Sequence, residues 1–242
     1  MSAARPGIVQ GGRSVYGVSV GVMLLDTTIP RPPGDVGNAR TFGFPVLYET
    51  VPGASIGLVV EHSASGLLER FVDVGQDLVR RGARALSTSC GFLSIHQRDM
   101  AAKVDAFVAT SSLLQIPVLL KMIGPDSHLG VITANASTLS SEHLAGAGIT
   151  EEDQSRLAFI GLEDTAHFYP IIVGGMDAPL DTDLAESEVV AAAEKALIDD
   201  PAIRGFVLEC TNLPPYSEAI RRATGLPVWD VITMLNWIDA AM

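Results

Sequence analysis

The chain is poor in cysteine, in aromatic residues and in positive charge. It has two cysteines among 242 residues, 6% aromatic residues, and 16 Lys and Arg against 28 Asp and Glu, a formal net charge of −12. Two cysteines are too few for a disulfide scaffold and favour a cytoplasmic protein with reduced thiols, with a single Cys90–Cys210 disulfide as the alternative. The negative charge disfavours nucleic acid and anionic membranes as partners, although it permits a small anionic substrate.

Long hydrophobic runs and cofactor motifs are also lacking. No apolar run reaches the length of a membrane-spanning helix. Arg5 and Arg13 precede an apolar stretch at 15–25, but no cleavage site follows, so we expect a first core strand there instead of a signal peptide. The five histidines show no metal-ligand spacing, and no dinucleotide or phosphate-loop fingerprint is present. We therefore predict no metal, no cofactor and no membrane span.

What the chain does have is an alternation of strand-like and helix-like segments. With 48% hydrophobic residues, it can bury a full core. A Pro- and Gly-rich loop from Asp26 to about Pro45 follows the first strand, and loops of this length are usually functional or mobile. In the first half we expect strands at 21–25, 46–50 and 56–60, a helix over 64–81 that Gly82 ends, and strands at 85–89 and 106–109, with helices over 94–104 and 113–123.

The second half repeats this order. When the second half is aligned with the first, Gly130 matches Gly21 and Asn135 matches Asp26, because the two pairs are separated by the same number of residues (130 − 21 and 135 − 26). We expect strands at 129–135 and 204–209. Between them we expect a helix whose start is marked by Asp183, as part of a capping box. The segment around Pro227 is matched with that around Pro117.

These observations predict an α/β fold with two pseudo-symmetric lobes. Each lobe is expected to be a mostly parallel sheet flanked by helices, with the active site between the lobes. Residues 1–105 and 225–242 would form the lobe that carries Cys90, and residues 106–224 the lobe that carries Cys210.

The two cysteines occupy matched places. Each ends a strand-like run. The number of residues from the start of the preceding helical stretch to the cysteine is also the same, from Ala64 to Cys90 and from Leu184 to Cys210 (90 − 64 and 210 − 184). Because ligands bind outside the carboxyl ends of parallel strands, the two thiols are expected to face each other across a cleft. Two acid–base groups on opposite faces of a carbon can remove a proton from one side and return one to the other, which inverts a stereocentre.

The sequences around both cysteines resemble the motifs of the aspartate/glutamate/hydantoin racemase superfamily. The run Leu208-Glu-Cys-Thr-Asn-Leu213 resembles its second cysteine motif, in which Cys-Thr is followed by Glu or His. The run Ser87-Thr-Ser-Cys90-Gly-Phe92 resembles its first, commonly Cys-Asn-Thr. The resemblance extends from about Val15 to the C-terminus. Gly91 and Asn212 depart from the usual residues, which disfavours aspartate and glutamate themselves as the substrate.

The resemblance implies a cofactor-independent racemase or epimerase, an isomerase that acts on a small amino acid, carboxylate or hydantoin-like compound. Alternatives are a maleate-type cis–trans isomerase, an arylmalonate-type decarboxylase or, from another class, a two-lobed anion-binding protein. A homo-oligomer is permitted. The resemblance implies that Cys90 and Cys210 are the catalytic acid and base and that Thr211 contacts the substrate. The other predicted substrate-binding residues are Asp26, Arg31, Ser89, Gly91, Asn135 and Asn212.

Three of these residues also have simpler structural interpretations. Asp26 can cap the turn that follows it, and Asn135 can form an ordinary Asx turn. Arg31 is suited to clamp a carboxylate, but a solvated loop arginine is the favoured interpretation when it is taken alone.

Overall fold

A computed structural model describes residues 11–242, so Arg5 lies outside the described residues. It contains two four-stranded sheets in which every pairing is parallel. The strands are β1 (Val20–Leu24), β2 (Val46–Thr50), β3 (Ala85–Thr88), β4 (Phe107–Ala109), β5 (His128–Thr133), β6 (Leu157–Gly161), β7 (Ile203–Leu208) and β8 (Val228–Trp229). The orders β2-β1-β3-β4 and β6-β5-β7-β8 are equivalent, which confirms the predicted α/β fold of two related lobes.

Helices connect the strands and cover both sheets. They are α1 (Ile56–Val60), α2 (Leu68–Arg81), α3 (Gln97–Lys103), α4 (Ile116–Met122), α5 (Ser141–Gly146), α6 (Glu151–Gln154), α7 (Phe168–Ile172), α8 (Thr182–Asp199), α9 (Ser217–Thr224) and α10 (Val231–Ala240). Short 3₁₀ helices span Gly91–His96, Ser112–Gln115 and Pro214–Tyr216. Within residues 11–242, none of the helices has both the length and the apolar character that crossing a membrane requires.

Both faces of each sheet are buried. In the second sheet, Ile132 and Phe206 pack towards α8, whereas their neighbours Val131 and Val207 pack towards α4 on the opposite side. Successive strand residues point to opposite faces, so a strand that is covered on both sides needs a continuous apolar run. This explains why the central strands read as uninterrupted hydrophobic segments.

Helix α2 shows how the sequence pattern becomes packing. Phe71 and Leu78 on its apolar stripe are fully buried, and burial of each such side chain contributes about 1.5–3 kcal/mol. Gly82 ends the helix with a φ of 124° and donates its backbone N–H to the carbonyls of Leu78 and Val79. The predicted glycine cap is confirmed, because this positive φ disfavours any residue with a Cβ.

Three local predictions were wrong. Residues 56–60 form helix α1 and not a strand, because the Ser55 hydroxyl accepts the N–H of Leu58 and starts a helical turn. Helix α8 is capped by Asp181, which accepts the N–H groups of Asp183 and Leu184, so Asp183 is not the capping residue. Helices α2 and α8 therefore begin at different distances from the cysteines, and the equal spacing seen in the sequence is not structural.

The sheets also divide the chain at other points than expected. Strand β4 pairs with β3 in the first sheet and β8 pairs with β7 in the second, while α10 packs on the first sheet. The chain therefore changes lobes a few residues after each predicted boundary. Pro117 lies in α4 and Pro227 precedes β8, so the two prolines are not equivalent. The matching strands are β4 and β8, which start at nearly equal distances after their cysteines (107 − 90 and 228 − 210).

Candidate functional site

Both cysteines line one narrow cavity of about 30 Å³. Cys90 follows β3 and Cys210 follows β7, which are equivalent strands of the two sheets, and neither thiol is in a disulfide. A much larger depression of about 580 Å³ lies beside Arg13 and Phe107, but it is open and contains neither cysteine. The two thiols and Glu209 therefore meet in the smaller cavity.

Most of the wall of this cavity is apolar. Glu209 and Asn212 supply its polar groups in addition to the two thiols. The apolar lining consists of Ile29, Ile56, Val60, Phe92, Ala134, Ile172 and Val173. A few polar groups in an apolar cleft are typical of small-molecule sites, because the polar groups orient a ligand that the walls enclose.

A hydrogen bond between the lobes joins the two cysteine loops. The buried Thr211 hydroxyl donates to the carbonyl oxygen of Ser89 at 2.7 Å. The Ser89 hydroxyl in turn accepts the N–H of Leu25 at 2.8 Å, at the end of β1. Both residues were predicted to bind substrate, but their hydroxyl groups are engaged in these bonds. In this structure they position the cysteines.

We expect Thr211→Val to lower the free energy of unfolding by about 1–3 kcal/mol. The valine leaves the buried Ser89 carbonyl without its donor, and such an unpaired group costs about this much. Urea denaturation measures the change, and Thr211→Ser, which keeps the hydroxyl, is the matched control. A Thr211→Val protein as stable as Thr211→Ser would show that this bond does not hold the loops.

Glu209 is a carboxyl group buried between the two cysteine loops, with 1% of its surface exposed. Its Oε2 accepts a hydrogen bond from the Thr133 hydroxyl at 2.7 Å. Burial raises the pKa of Glu209 to about 7, and the Thr133 hydrogen bond opposes the rise. Near neutral pH, this residue therefore changes readily between a neutral acid and an anion.

The two thiols have unequal surroundings. Burial, and next the negative charge of Glu209, raise the pKa of Cys90, whereas the Phe92 N–H and the Arg31 guanidinium lower it. The pKa of Cys210 is also raised, by burial first and then by the charges of Glu209, Cys90 and Asp35, with the Asn212 N–H opposing. The positive influence of Arg31 acts on Cys90, so Cys90 has more support for a thiolate.

Asn212 links Cys210 to a buried ion pair in the long loop. Its Nδ2 donates to Asp35 Oδ2 at 2.6 Å, which directs its Oδ1 towards Cys210, whose thiol donates to it at 3.6 Å. Asp35 is fully buried and also pairs with Arg31 at 2.8 Å. The predicted residues Arg31 and Asn212 thus belong to one network, and Asp35 connects them.

The matched pair Asp26 and Asn135 lies outside the cavity. Asp26 is exposed, and its carboxylate accepts the N–H of Gly53 at 3.0 Å. The Asn135 side chain is occupied by Tyr169 and by the backbone N–H and hydroxyl of Ser137. Asn135 forms the Asx turn that was its simpler interpretation, whereas Asp26 binds the distant Gly53 and does not cap the turn that follows it.

Gly91 adjoins the site without contributing a side chain. A Cβ at this position would lie 2.2 Å from Glu209 Oε1, so the glycine leaves room for the carboxyl group. Sequence reasoning missed Glu209 and Asp35 as site residues. The available signal was a carboxylate at the end of an otherwise apolar strand, directly before Cys210. Within residues 11–242, no group of three or more His, Cys, Asp or Glu side chains is arranged to hold a metal ion.

Two relatives share this sequence over most of its length. A protein named dimethylsulfoniopropionate lyase from Durusdinium sp. clade D is 32% identical over 223 residues, which cover 90% of this chain and 73% of that protein. Dimethylsulfoniopropionate lyase 7 of Emiliania huxleyi (strain CCMP1516) is 32% identical over 232 residues, which cover 93% of this chain and 67% of that protein. No family model matches the chain.

Solved structures resemble the fold at low sequence identity. Allantoin racemase from Klebsiella pneumoniae matches with a TM-score of 0.61 at 14% identity, covering 92% of this chain and 87% of that one. Arylmalonate decarboxylase matches with a TM-score of 0.55 at 17% identity, covering 91% of each chain. An aspartate racemase homologue from Pyrococcus horikoshii OT3 matches with a TM-score of 0.54 at 14% identity, covering 92% and 98%. These likenesses confirm the predicted racemase-superfamily fold.

The predicted reaction was wrong. The relatives at 32% identity are named lyases, which contradicts a racemase or epimerase and the assignment to the isomerases. The broader prediction of an enzyme is confirmed.

Proposed function

Because this chain belongs to the dimethylsulfoniopropionate lyase family, we propose that it cleaves the carbon–sulfur bond of dimethylsulfoniopropionate or of a closely similar sulfonium carboxylate. The observation that carries the proposal is the 32% identity over 90% of the chain. The shared cavity of Cys90 and Cys210 supplies the groups that such a reaction needs.

The reaction is an elimination. A base takes a proton from the carbon next to the carboxylate, and the electrons of that bond form a carbon–carbon double bond. The bond between the next carbon and the sulfonium sulfur breaks, and its electron pair leaves with dimethyl sulfide. The other product is acrylate, and one proton returns to solvent before the next turnover. The protein has to supply a base and to stabilise the charge that develops on the carboxylate.

We assign the base to Cys90. A thiolate is needed; burial and the negative charge of Glu209 raise the pKa of this thiol, and the Phe92 N–H and Arg31 oppose that rise by favouring the charged form. The substrate adds a positive sulfonium group, and an opposite charge nearby lowers the pKa of a thiol. Binding of the substrate therefore promotes the thiolate that attacks its proton.

Cys210 is suited to remain a thiol. Its S–H donates to Asn212 Oδ1, and hydrogen bonding from the neutral form opposes ionisation. Asp35 prevents the amide from turning, because it already binds Asn212 Nδ2 at 2.6 Å. The pKa of each thiol is raised, but Arg31 favours the thiolate of Cys90 and the Asn212 amide oxygen favours the thiol of Cys210, which is the asymmetry that a single-base elimination requires.

The apolar walls match the other half of the substrate. Ile29, Ile172 and Val173 line the cavity, and they can enclose the methyl groups of a sulfonium without competing hydrogen bonds. Enclosure also removes water from the charged groups, which strengthens their electrostatic interactions.

The purified protein is expected to convert dimethylsulfoniopropionate into equal amounts of dimethyl sulfide and acrylate. Gas chromatography of the headspace measures the sulfide, and proton NMR measures the acrylate. Protein whose thiols have been alkylated with iodoacetamide is the control and is expected to be inactive. If the unmodified protein forms neither product, the proposed activity is wrong.

A further inference from the structure

The buried carboxyl group of Glu209 has one oxygen that the fold uses and one that it leaves free. Oε2 accepts the Thr133 hydroxyl, whereas Oε1 is buried and has no hydrogen-bond partner among the residues that the structure describes. Buried polar atoms are nearly always paired, so such an atom calls for a ligand or a functional explanation. Since Glu209 lines the cavity of the two cysteines, the ligand of that cavity is the natural partner.

The surrounding backbone is built to hold the carboxyl group in this place. Oε1 lies where a Cβ of residue 91 would be, at 2.2 Å, so only glycine next to Cys90 leaves the space. Glu209 itself directly precedes Cys210. The carboxyl group therefore lies against the loop of Cys90 in the cavity that both thiols line, and its position depends on a glycine where the superfamily motif usually has Asn.

The hydrogen bonds indicate which oxygen carries a proton. Because the Thr133 hydroxyl donates to Oε2, that oxygen is an acceptor, and Oε1 is free to hold the proton of the neutral acid. The charge of Glu209 acts on the thiols of Cys90 and Cys210, on which Arg31 and Asp35 also act. A substrate carboxylate that enters beside Glu209 favours the neutral acid further, because two carboxylates at one site repel each other.

We propose that Glu209 is a catalytic residue that stays protonated in the complex and donates a hydrogen bond from Oε1 to the substrate carboxylate. The proposal rests on the proposed lyase function, since it assigns the group that stabilises charge in that reaction. Loss of the proton beside the carboxylate moves negative charge onto its oxygens, and a donor held in a low-dielectric site stabilises that charge. An ionised Glu209 would repel the same charge and would also hinder formation of the Cys90 thiolate.

The substitutions Glu209→Gln and Glu209→Leu separate a neutral donor from an anion. Glutamine keeps a donor of similar size without a charge, whereas leucine removes the hydrogen bond. We expect kcat/KM for dimethylsulfoniopropionate to fall by about 100-fold in Glu209→Leu and by about tenfold or less in Glu209→Gln. Equal losses in the two variants would overturn the proposal, because a base or an anionic partner of the sulfonium is lost in both.

A second measurement does not depend on turnover. Propionate carries the carboxylate of the substrate but no sulfonium, and it is expected to protect both thiols from iodoacetamide. Binding of propionate should require the protonated acid, so its apparent Kd should rise about tenfold per pH unit above pH 7, where Glu209 titrates. In Glu209→Gln the protection should persist with little dependence on pH.

The two measurements distinguish the two hypotheses. A protein that shows pH-dependent protection by propionate but releases no dimethyl sulfide supports the carboxylate site and rejects the lyase function. Propionate that protects the thiols at no pH, or equally at pH 6 and pH 9 in the wild type, rejects the role of Glu209 even when the protein is an active lyase.

Discussion

Cys90→Ser is expected to lower kcat/KM for dimethylsulfoniopropionate by about 1,000-fold. A hydroxyl group occupies nearly the same space as a thiol, but it ionises far less readily, so the base is lost while the cavity is preserved. Removal of a general base costs about 10²–10⁴-fold in rate. Initial rates of dimethyl sulfide release at several substrate concentrations give the value, and the loss should fall mainly on kcat because the walls that bind the substrate are unchanged.

Cys210→Ser is the matched control for this effect. Serine can still donate to Asn212 Oδ1, so we expect a loss of about tenfold, since the neutral donor is retained. Urea denaturation of both variants checks that each remains folded. If Cys210→Ser proves the more damaging change, the base is Cys210 and the effects assigned to Arg31 and the Phe92 N–H do not decide which thiol ionises.

The erroneous prediction of a racemase has a chemical cause. A racemase and the proposed lyase both begin by removing a proton next to a carboxylate, and a cysteine can serve as the base in each. The outcome then depends on whether the neighbouring carbon carries a leaving group, which is a property of the substrate. The motifs around Cys90 and Cys210 therefore indicate proton removal, but they do not indicate the bond changes that follow it.

The fold was predictable because the central strands of the two lobes have similar sequence patterns. Strands β1 and β5 are buried on both faces and appear as apolar runs at equivalent places in the two halves of the chain. The helices were less predictable, since their starts depend on single capping residues such as Ser55 and Asp181. The equal distances from helix to cysteine were a coincidence, whereas the distances from cysteine to the next strand are nearly equal in the two lobes.

The site was predictable where it follows from strand ends and unpredictable where it depends on tertiary contacts. Cys90, Cys210 and Asn212, which follow two equivalent strands, line one cavity, and their catalytic and binding roles stay predictions. The hydroxyl groups of Ser89 and Thr211 have the right location, but they bond to backbone groups that only the folded lobes bring near. Asp35 and Glu209 escaped notice because their importance comes from burial, which a local pattern of charge does not reveal.

Gly91→Ala is expected to destabilise the protein by about 3 kcal/mol and to remove most activity. Overpacking of a buried site typically costs about 1–3 kcal/mol, and the added Cβ makes contacts short enough for the upper end of that range. Its Cβ would lie 2.2 Å from Glu209 Oε1 and 2.3 Å from the carbonyl oxygen of Glu209. The carboxyl group can turn away, but the backbone oxygen belongs to the chain directly before Cys210 and can move only together with it. Urea denaturation and dimethyl sulfide release measure the two losses.

Gly57→Ala is the matched control, because Gly57 lies inside α1 and the nearest atom to its added Cβ is at 3.8 Å. It should be neutral or stabilising, as expected for a helical glycine. In a Glu209→Ala background, Gly91→Ala should still destabilise the protein, since the backbone collision remains. Full recovery of stability there would show that only the carboxyl group excludes a side chain. In that case the glycine beside Cys90 would be required for the buried acid alone, and the approach of the two cysteine loops would not require it.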